Sequence, residues 1–429
     1  MLKYSMVNEN KVAILDNMLI NNGNVTAFFI LKPFNYYIMG SEYKRAHVET
    51  LYKVLSLLHH ETPNLKFSMF KLINFMSKAK TIAEIERTIR IYDKNYVTMP
   101  KDYRQFISVL SKEFSVLAIN IDIKDTIDIE KDSILDIIKK KTNSLINNVV
   151  MNNDYNIDKD FLISQSKKFY SVLRDYSVPA TPKQVMNIYI NRIYPTYNLS
   201  YNDYMVEHSE AILSNVQQEI IPKLGSFELT NSGIAILGLS PKKTYCSVIT
   251  ILEYPDEALT GNLNIDFPGL TVNIKLLEKE KAELKIKRVR ASITSEKADA
   301  QVSGGNDNLE ELQASENITN YALSQIRKGR IACELSANFL VTADSLEKLE
   351  EKKKKIIKDL NKINIIASIA PNQAQAYLKC IVNMNPGDLS YDHFMDLEYA
   401  LSTQIDSGVL VGDEDSNFMS PVVGTTFLK

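Results

Sequence analysis

The residues best suited to bind a metal ion are the five histidines and their acidic neighbours. His59 and His60 are the only histidines close together in the sequence, and adjacent residues on a helix point about 100° apart, which is poor geometry for holding one ion. Asp392, His393 and Asp396 form the other cluster. This cluster defines one alternative function for the chain, a metal-dependent hydrolase.

Nucleotide hydrolysis requires a glycine-rich loop whose amides hold phosphates, with a lysine and a Ser or Thr for magnesium. No GxxxxGK[ST] motif occurs in the sequence. SPKKT at 240–244 lacks the two glycines of the motif, and SGG at 303–305 lacks its lysine. The sequence therefore predicts no catalytic residue, no metal site and no cofactor site in this chain.

A possible basic patch is formed by Lys352, Lys353, Lys354 and Lys355. Glutamates precede this run at i,i+4 spacing, and the lysines lie in the C-terminal half of a predicted helix, where the helix dipole favours cations. A solvated helix face is the favoured interpretation. A DNA-binding accessory factor is the second alternative function, although no direct nucleic-acid contact is predicted.

The composition is that of a globular protein, with 45% apolar and 24% charged residues and a net charge of -2. The near-zero charge argues against a dedicated nucleic-acid binder. Three widely spaced cysteines predict free, mostly buried thiols in a reducing compartment. The sequence contains no secretory signal and no membrane span, so a cytoplasmic location is expected.

The fold class predicted from hydrophobic periodicity is α/β (α+β), in several units. Residues 1–125 form a mixed α/β unit, with strand candidates KVAILD and NVTAFFILK separated by the turn NNGN, and a helix capped by Ser41. Residues 126–222 form a helical segment. Its Tyr-rich loop is a possible partner-binding surface, comprising Tyr194, Tyr197, Tyr201 and Tyr204.

Residues 223–386 form an α/β scaffold unit whose element order is compatible with a ferredoxin-like split-βαβ layer. Residues 280–329 are predicted to be a helical-hairpin insertion that reverses at Gly304-Gly305 and ends at Gly329. This charged hairpin is a second candidate contact surface. The helix DSLEKLEEKKKKIIKDLNKI follows, with a capping box at Asp344 and Glu347. Residues 387–429 are expected to be a linker toward a missing motor domain.

The third region resembles a known family in the order and spacing of its elements. The series YCSVITILEYP, GLTVNIKLL, a charged helical pair ending QIRKG, CELSANFLVTADSLEKLEEKKKKI and IIASIAPNQAQAYLKCIVNMNPGDL is similar to the N-terminal part of the VirB-class, TraC/TrsE-like hub ATPases of conjugation and type IV secretion. The Gram-positive plasmid and transposon branch fits best. The resemblance covers roughly residues 224–425, and the first 220 residues fit loosely.

The resemblance implies a non-catalytic scaffold that docks the ATPase onto inner-membrane channel subunits and supports homo-oligomer formation. ATP and magnesium are then expected only in the motor domain, which would follow SPVVGTTFLK. The family's catalytic residues match no position here, so the chain is expected to be inactive by itself. It is expected to be cytoplasmic and to reach the membrane through its partners.

Overall fold

The computed structural model describes residues 3–4, 12–21, 24–32, 40–62, 65–74, 112–121, 158–193, 210–212, 227–230, 233–237, 243–255, 269–303, 309–370 and 392–402. Several predicted features lie outside these residues. They are two helices that the sequence pattern predicts between about 80 and 112, one at 133–150 and one at 372–383, the tyrosines of the 194–204 loop, and residues 387–391 and 403–429 of the expected linker 387–429.

The described part of the chain contains both strands and helices. The strands are β1 Lys3–Tyr4, β2 Val12–Leu15, β3 Met18–Asn21, β4 Asn24–Leu31, β5 Lys66–Asn74, β6 Lys112–Ile121, β7 Ser177–Pro179, β8 Glu210–Ile212, β9 Phe227–Thr230, β10 Gly233–Leu237, β11 Lys243–Glu253, β12 Leu270–Leu276, β13 Ala332–Ala343, β14 Ile366–Ile369 and β15 His393–Asp396. The helices are α1 Ser41–Glu61, α2 Asp158–Leu173, α3 Pro182–Ile193, α4 Lys279–Ser303, α5 Leu309–Arg327, α6 Leu346–Asn361 and α7 Leu397–Ser402.

The strands within the described residues form one antiparallel sheet. Its order is β1-β9-β10-β11-β13-β12-β5-β6-β4-β3-β2-β8, with β14 beside β11, β15 beside β13 and β7 beside β4. The predicted mixture of helices with a sheet is therefore confirmed. The predicted helical segment 126–222 contains α2 and α3, and it also contributes two short strands to the sheet, β7 and β8.

The two halves of the sheet repeat one strand order. In the N-terminal half it is β7-β4-β6-β5, and in the C-terminal half it is β14-β11-β13-β12. In both halves a long connection joins the second strand in chain order to the third, β5 to β6 and β12 to β13. The third strand is joined to the fourth by a connection that contains a helix, α2 between β6 and β7 and α6 between β13 and β14. The halves meet where β5 pairs with β12.

Each strand of the sheet's centre places alternate residues on two faces. The first face carries the main core, to which β12 contributes the four apolar residues that its period of two predicts, Leu270, Val272, Ile274 and Leu276. Helices α1, α2, α6 and α7 pack there. The second face carries buried polar residues, and α3 reaches it through Arg192, whose Nη1 donates to Thr271 Oγ1 at 2.9 Å.

Local sequence signals explain several helix ends. Thr181 caps α3 as a capping box, because its Oγ1 accepts from the Gln184 amide while its own amide donates to Gln184 Oε1. Gly329, with φ of 96°, ends the hairpin. The Arg330 amide donates to the Gln325 carbonyl and the Gly329 amide to the Ile326 carbonyl, the two bonds of a Schellman motif.

Three local predictions were wrong. The sequence predicts two strands before residue 33, but the structure has a further strand, β3, between them. Asp16, with φ of 49°, and Asn17 form a tight turn, after which β3 pairs antiparallel with β2. The N-cap of α1 is Gly40, so Ser41 is its first helical residue. The N-cap of α6 is Ser345, whose Oγ accepts from the Lys348 amide at 3.3 Å.

The thiols Cys246 and Cys333 are free and buried, as expected. Burial raises the pKa of Cys246 to about 12, so it stays a protonated thiol at neutral pH. Neither thiol is activated as a nucleophile.

Replacing the α6 cap tests the observed end of that helix. Ser345→Ala should lower the free energy of unfolding by about 1 kcal/mol, because the Lys348 amide loses its acceptor. Asp344→Ala should cost less, since the ion pair of Asp344 with Lys348 is exposed. Urea unfolding of the full chain measures both values. A larger loss for Asp344→Ala would instead support the capping box expected from the sequence.

Candidate docking groove

A groove of about 620 Å³ lies between α1 and α5, above β15 and α7. Ser41, Lys44, Arg45 and Val48 of α1 form one wall. The α5 wall presents Ile318, Tyr321 and Gln325, and the floor includes Ala332, Phe394, Met395 and Tyr399. Most of this lining is apolar. The groove therefore offers a concave hydrophobic surface whose walls come from the two halves of the chain.

The α5 wall is apolar because the helix has hydrophobic residues outside its contact with α4. Thr319, Leu323 and Ile326 are buried at spacings of four and three, which is the packing seam of the hairpin. Ile318 and Tyr321 lie off this seam, one turn apart, and are 68% and 66% exposed. Large apolar side chains grouped on a concave surface are typical of interaction sites.

The rim of the groove on α1 is cationic. Arg45 pairs with Glu49 at 3.3 Å, in an exposed i,i+4 arrangement. Lys44 forms no ion pair with any residue that the structure describes. An occupant with acidic residues beside Lys44 would therefore gain an interaction that the chain itself does not supply.

The floor of the groove contains an ion cluster in which one cation, Arg330, faces two carboxylates. The Arg330 guanidinium donates to Glu398 and lies 4.0 Å from Asp396, while the Ile331 amide donates to Tyr52 Oη at 3.1 Å. Burial raises the pKa of Asp396, against the opposing effects of the Glu398 amide and Arg330. These contacts tie α1 to the start of β13 and α7.

The base of the hairpin is fixed by Glu334, which accepts from Lys275 Nζ at 2.8 Å and from Lys285 Nζ at 2.6 Å. Burial alone would raise the pKa of Glu334, but the hydrogen bonds from the two lysines outweigh it and the pKa is lowered. An apolar cluster around Ile286, Leu323 and Ile326 completes the attachment. The α5 wall thus has a fixed position on the sheet.

The four lysines of the predicted basic patch have different environments. Lys353 is buried, with only 3% of its surface exposed, and its Nζ pairs with Glu350. Lys352 Nζ donates to the Thr342 carbonyl at 2.7 Å, which anchors α6 to β13. Lys354 and Lys355 are exposed. Three of the four lysines are therefore exposed, and one of these three, Lys352, is already bound to a carbonyl of the chain.

In the Asp392, His393 and Asp396 cluster, His393 and Asp396 make different contacts. His393 Nε2 lies 3.2 Å from the Ile251 carbonyl, and its ring meets Tyr254 edge-on. Asp396 Oδ1 accepts from the Glu398 amide at the start of α7. Within the described residues, no group of three His, Cys, Asp or Glu side chains is arranged to hold a metal ion.

The basic segment KIKRVR at 285–290 is part of α4, within the predicted hairpin. Sequence reasoning selected the hairpin as a contact surface but did not single out Ile318 and Tyr321. The signal was present, because both residues fall outside the four-and-three spacing of the α5 seam. None of the helices in the described ranges has the length and apolarity of a membrane span.

Glu334→Gln tests the attachment of the hairpin. The variant should lose about 1–2 kcal/mol of stability at neutral pH, because two lysines lose their carboxylate. Because the pKa of Glu334 is lowered in the folded chain, its interactions stabilise the fold fully at a pH above 4.5, the ordinary pKa of a glutamate. This stabilisation is lost as the pH falls through the lowered pKa.

The wild type should therefore lose more stability than Glu334→Gln between pH 6 and pH 3, as measured by urea unfolding. Glu283→Gln is the matched control, since among the described residues the ion pair of Glu283 is an i,i+4 pair with Lys287 within α4. Equal pH dependence of the wild type and Glu334→Gln would contradict the assigned role of Glu334.

No protein-family model matches this chain, and no curated protein matches it.

Proposed function

We propose that this chain is a non-catalytic docking scaffold whose groove binds an amphipathic helix of a partner protein. The observation that carries the proposal is the pair Ile318 and Tyr321, exposed on the α5 wall of an apolar groove. A helix laid between α1 and α5 would cover both side chains. Recognition of a helix by a hydrophobic groove of this kind depends on apolar anchors at helical spacing.

The charge of the rim defines the occupant further. Lys44 and Arg45 stand beside the groove on α1, while the acidic side chains of the floor are already paired with Arg330. Acidic residues flanking the apolar face of the bound helix would lie next to the two α1 cations. The proposed partner is therefore an amphipathic helix with aliphatic anchors and acidic flanks.

We further propose that the scaffold is the pre-motor region of a VirB-class hub ATPase of conjugation or type IV secretion. The order β14-β11-β13-β12 with antiparallel pairing supports a ferredoxin-like split-βαβ unit at 223–386, and α4 and α5 support its hairpin insertion. The partner helix would then belong to a channel subunit at the inner face of the membrane. The chain would be cytoplasmic, peripheral to the membrane and part of a homo-oligomer.

A peptide-binding measurement tests the groove. A fluorescent amphipathic peptide with leucines on one face and glutamates along its flanks should bind the full chain, as monitored by anisotropy. Ile318→Glu and Tyr321→Glu should each weaken binding about tenfold, because each places a charge where an apolar anchor packs. A peptide with lysine flanks should bind more weakly than the glutamate peptide.

Val289→Glu provides the matched control, because Val289 is 50% exposed on α4 and does not line the groove. Equal weakening by Val289→Glu, or equal binding of the lysine-flanked peptide, would contradict the proposed site. ATP turnover by the purified chain would contradict the non-catalytic assignment.

A further inference from the structure

The second face of the sheet carries a compact cluster of buried polar side chains at its centre. Ser68, Asn273 and Ser336 lie directly opposite one another on β5, β12 and β13. Thr271, Asn338 and Thr250 form the next row, on β12, β13 and β11. All six side chains are buried. Such buried positions in a sheet normally hold apolar residues. Buried polar side chains are stable there only when they form hydrogen bonds, so each member of this cluster needs a partner.

The two asparagines of the cluster use their carbonyl oxygens within the sheet. Ser68 Oγ donates to Asn273 Oδ1 at 2.7 Å, and Thr250 Oγ1 donates to Asn338 Oδ1 at 2.8 Å. Their amide nitrogens, together with Ser336 Oγ, are buried and lack a hydrogen-bond partner in the described structure. An amide nitrogen carries two donors, and burying it unpaired is unfavourable. The cluster is therefore rich in unused donors.

These donors are close together. Asn273 and Ser336 are directly opposite each other, which places their Cβ atoms about 5 Å apart. Ser336 and Asn338 are two residues apart on β13, a separation of roughly 7 Å. Two hydrogen bonds of about 2.9 Å to a group with several oxygen atoms match this spacing.

A guanidinium lies at the same place. Arg192 is buried on the second face, and its Nη1 donates to Thr271 Oγ1, the residue opposite Asn338. Its guanidinium carbon is 4.2 Å from the centroid of the Phe70 ring. The positive charge of Arg192 therefore stands next to the amide donors and favours an anionic ligand.

The N-terminal half contains a comparable pair without this feature. Thr26 Oγ1 donates to Asn120 Oδ1 at 3.1 Å on the same face, between β4 and β6. These strands occupy the places that β11 and β13 occupy in the C-terminal half, so the Thr-Asn pair itself belongs to the repeated architecture. The unused donors distinguish the C-terminal cluster.

We propose that Asn273, Ser336 and Asn338 form a binding site for an oxyanion, a carboxylate or a phosphate group, with Arg192 supplying positive charge beside it. The amide nitrogens and the Ser336 hydroxyl donate to the oxygens of the ligand. The site is formed on the opposite face of the sheet from the main core and does not depend on the docking groove.

Thermal unfolding of the full chain in inorganic phosphate and, separately, in acetate tests the site, with sodium chloride at matched ionic strength as the reference. One of the two anions should raise the unfolding temperature saturably, because it binds only the folded chain. A response to phosphate identifies a phosphate site, and a response to acetate identifies a carboxylate site. Asn273→Leu and Asn338→Leu should each raise the half-saturating concentration at least about tenfold.

Asn120→Leu is the matched control and should keep the anion response. Ser336→Ala serves where an asparagine variant fails to fold, and it should weaken the response while leaving both amides in place. Equilibrium dialysis of the unmodified chain against the same anion should give a single bound ion. The proposal is overturned if neither anion acts saturably, or if the response of Ser336→Ala and the asparagine variants equals that of the wild type.

Discussion

The pairing of β5 with β12 is the interaction on which the relative position of the two halves depends. Five residue pairs, from Phe70 opposite Thr271 to Lys66 opposite Lys275, join strands that are separated by about 200 residues of sequence. Both strands are central in the sheet, with β6 on the other side of β5 and β13 on the other side of β12. The junction is buried on both faces, with Phe67 and Ile274 on one and Ser68 and Asn273 on the other.

Both candidate sites use this junction. The groove needs α1 from the N-terminal half and α5 and α7 from the C-terminal half, and the hydrogen bond from the Ile331 amide to Tyr52 joins the two halves beside it. The oxyanion cluster lies on the junction itself, since Ser68 orients the Asn273 amide. Lys275 connects the junction to the hairpin, because Glu334 forms ion pairs with both Lys275 and Lys285. The negative charge of Glu334 also lies beside Lys275, which is opposite Lys66 in the β5–β12 pairing.

Helix α1 and strand β12 were predictable because each has one dominant period and a buried face that matches it. The short strands β3, β7 and β8 were not, since three or four residues carry no periodicity, and their pairing depends on distant strands. The repeated strand order could not be predicted from the sequence either, because the two halves share a topology but no repeat of fixed length. The groove joins residues far apart in sequence. Of its lining, only Ile318 and Tyr321 could have been recognised from the sequence, as apolar residues outside the buried seam of α5.

The most direct test of the shared sheet is a cross-strand disulfide between β5 and β12. Directly opposite Cα atoms in an antiparallel pair lie about 4.5–5.5 Å apart, within the range that a disulfide spans. Ser68→Cys/Asn273→Cys, oxidised in the folded full chain, should give a linked peptide pair by mass spectrometry after unfolding and digestion. Ser68→Cys/Thr250→Cys, whose positions are separated by β12 and β13, should give none. Absence of the first crosslink, or equal yield of the second, would contradict the continuous sheet.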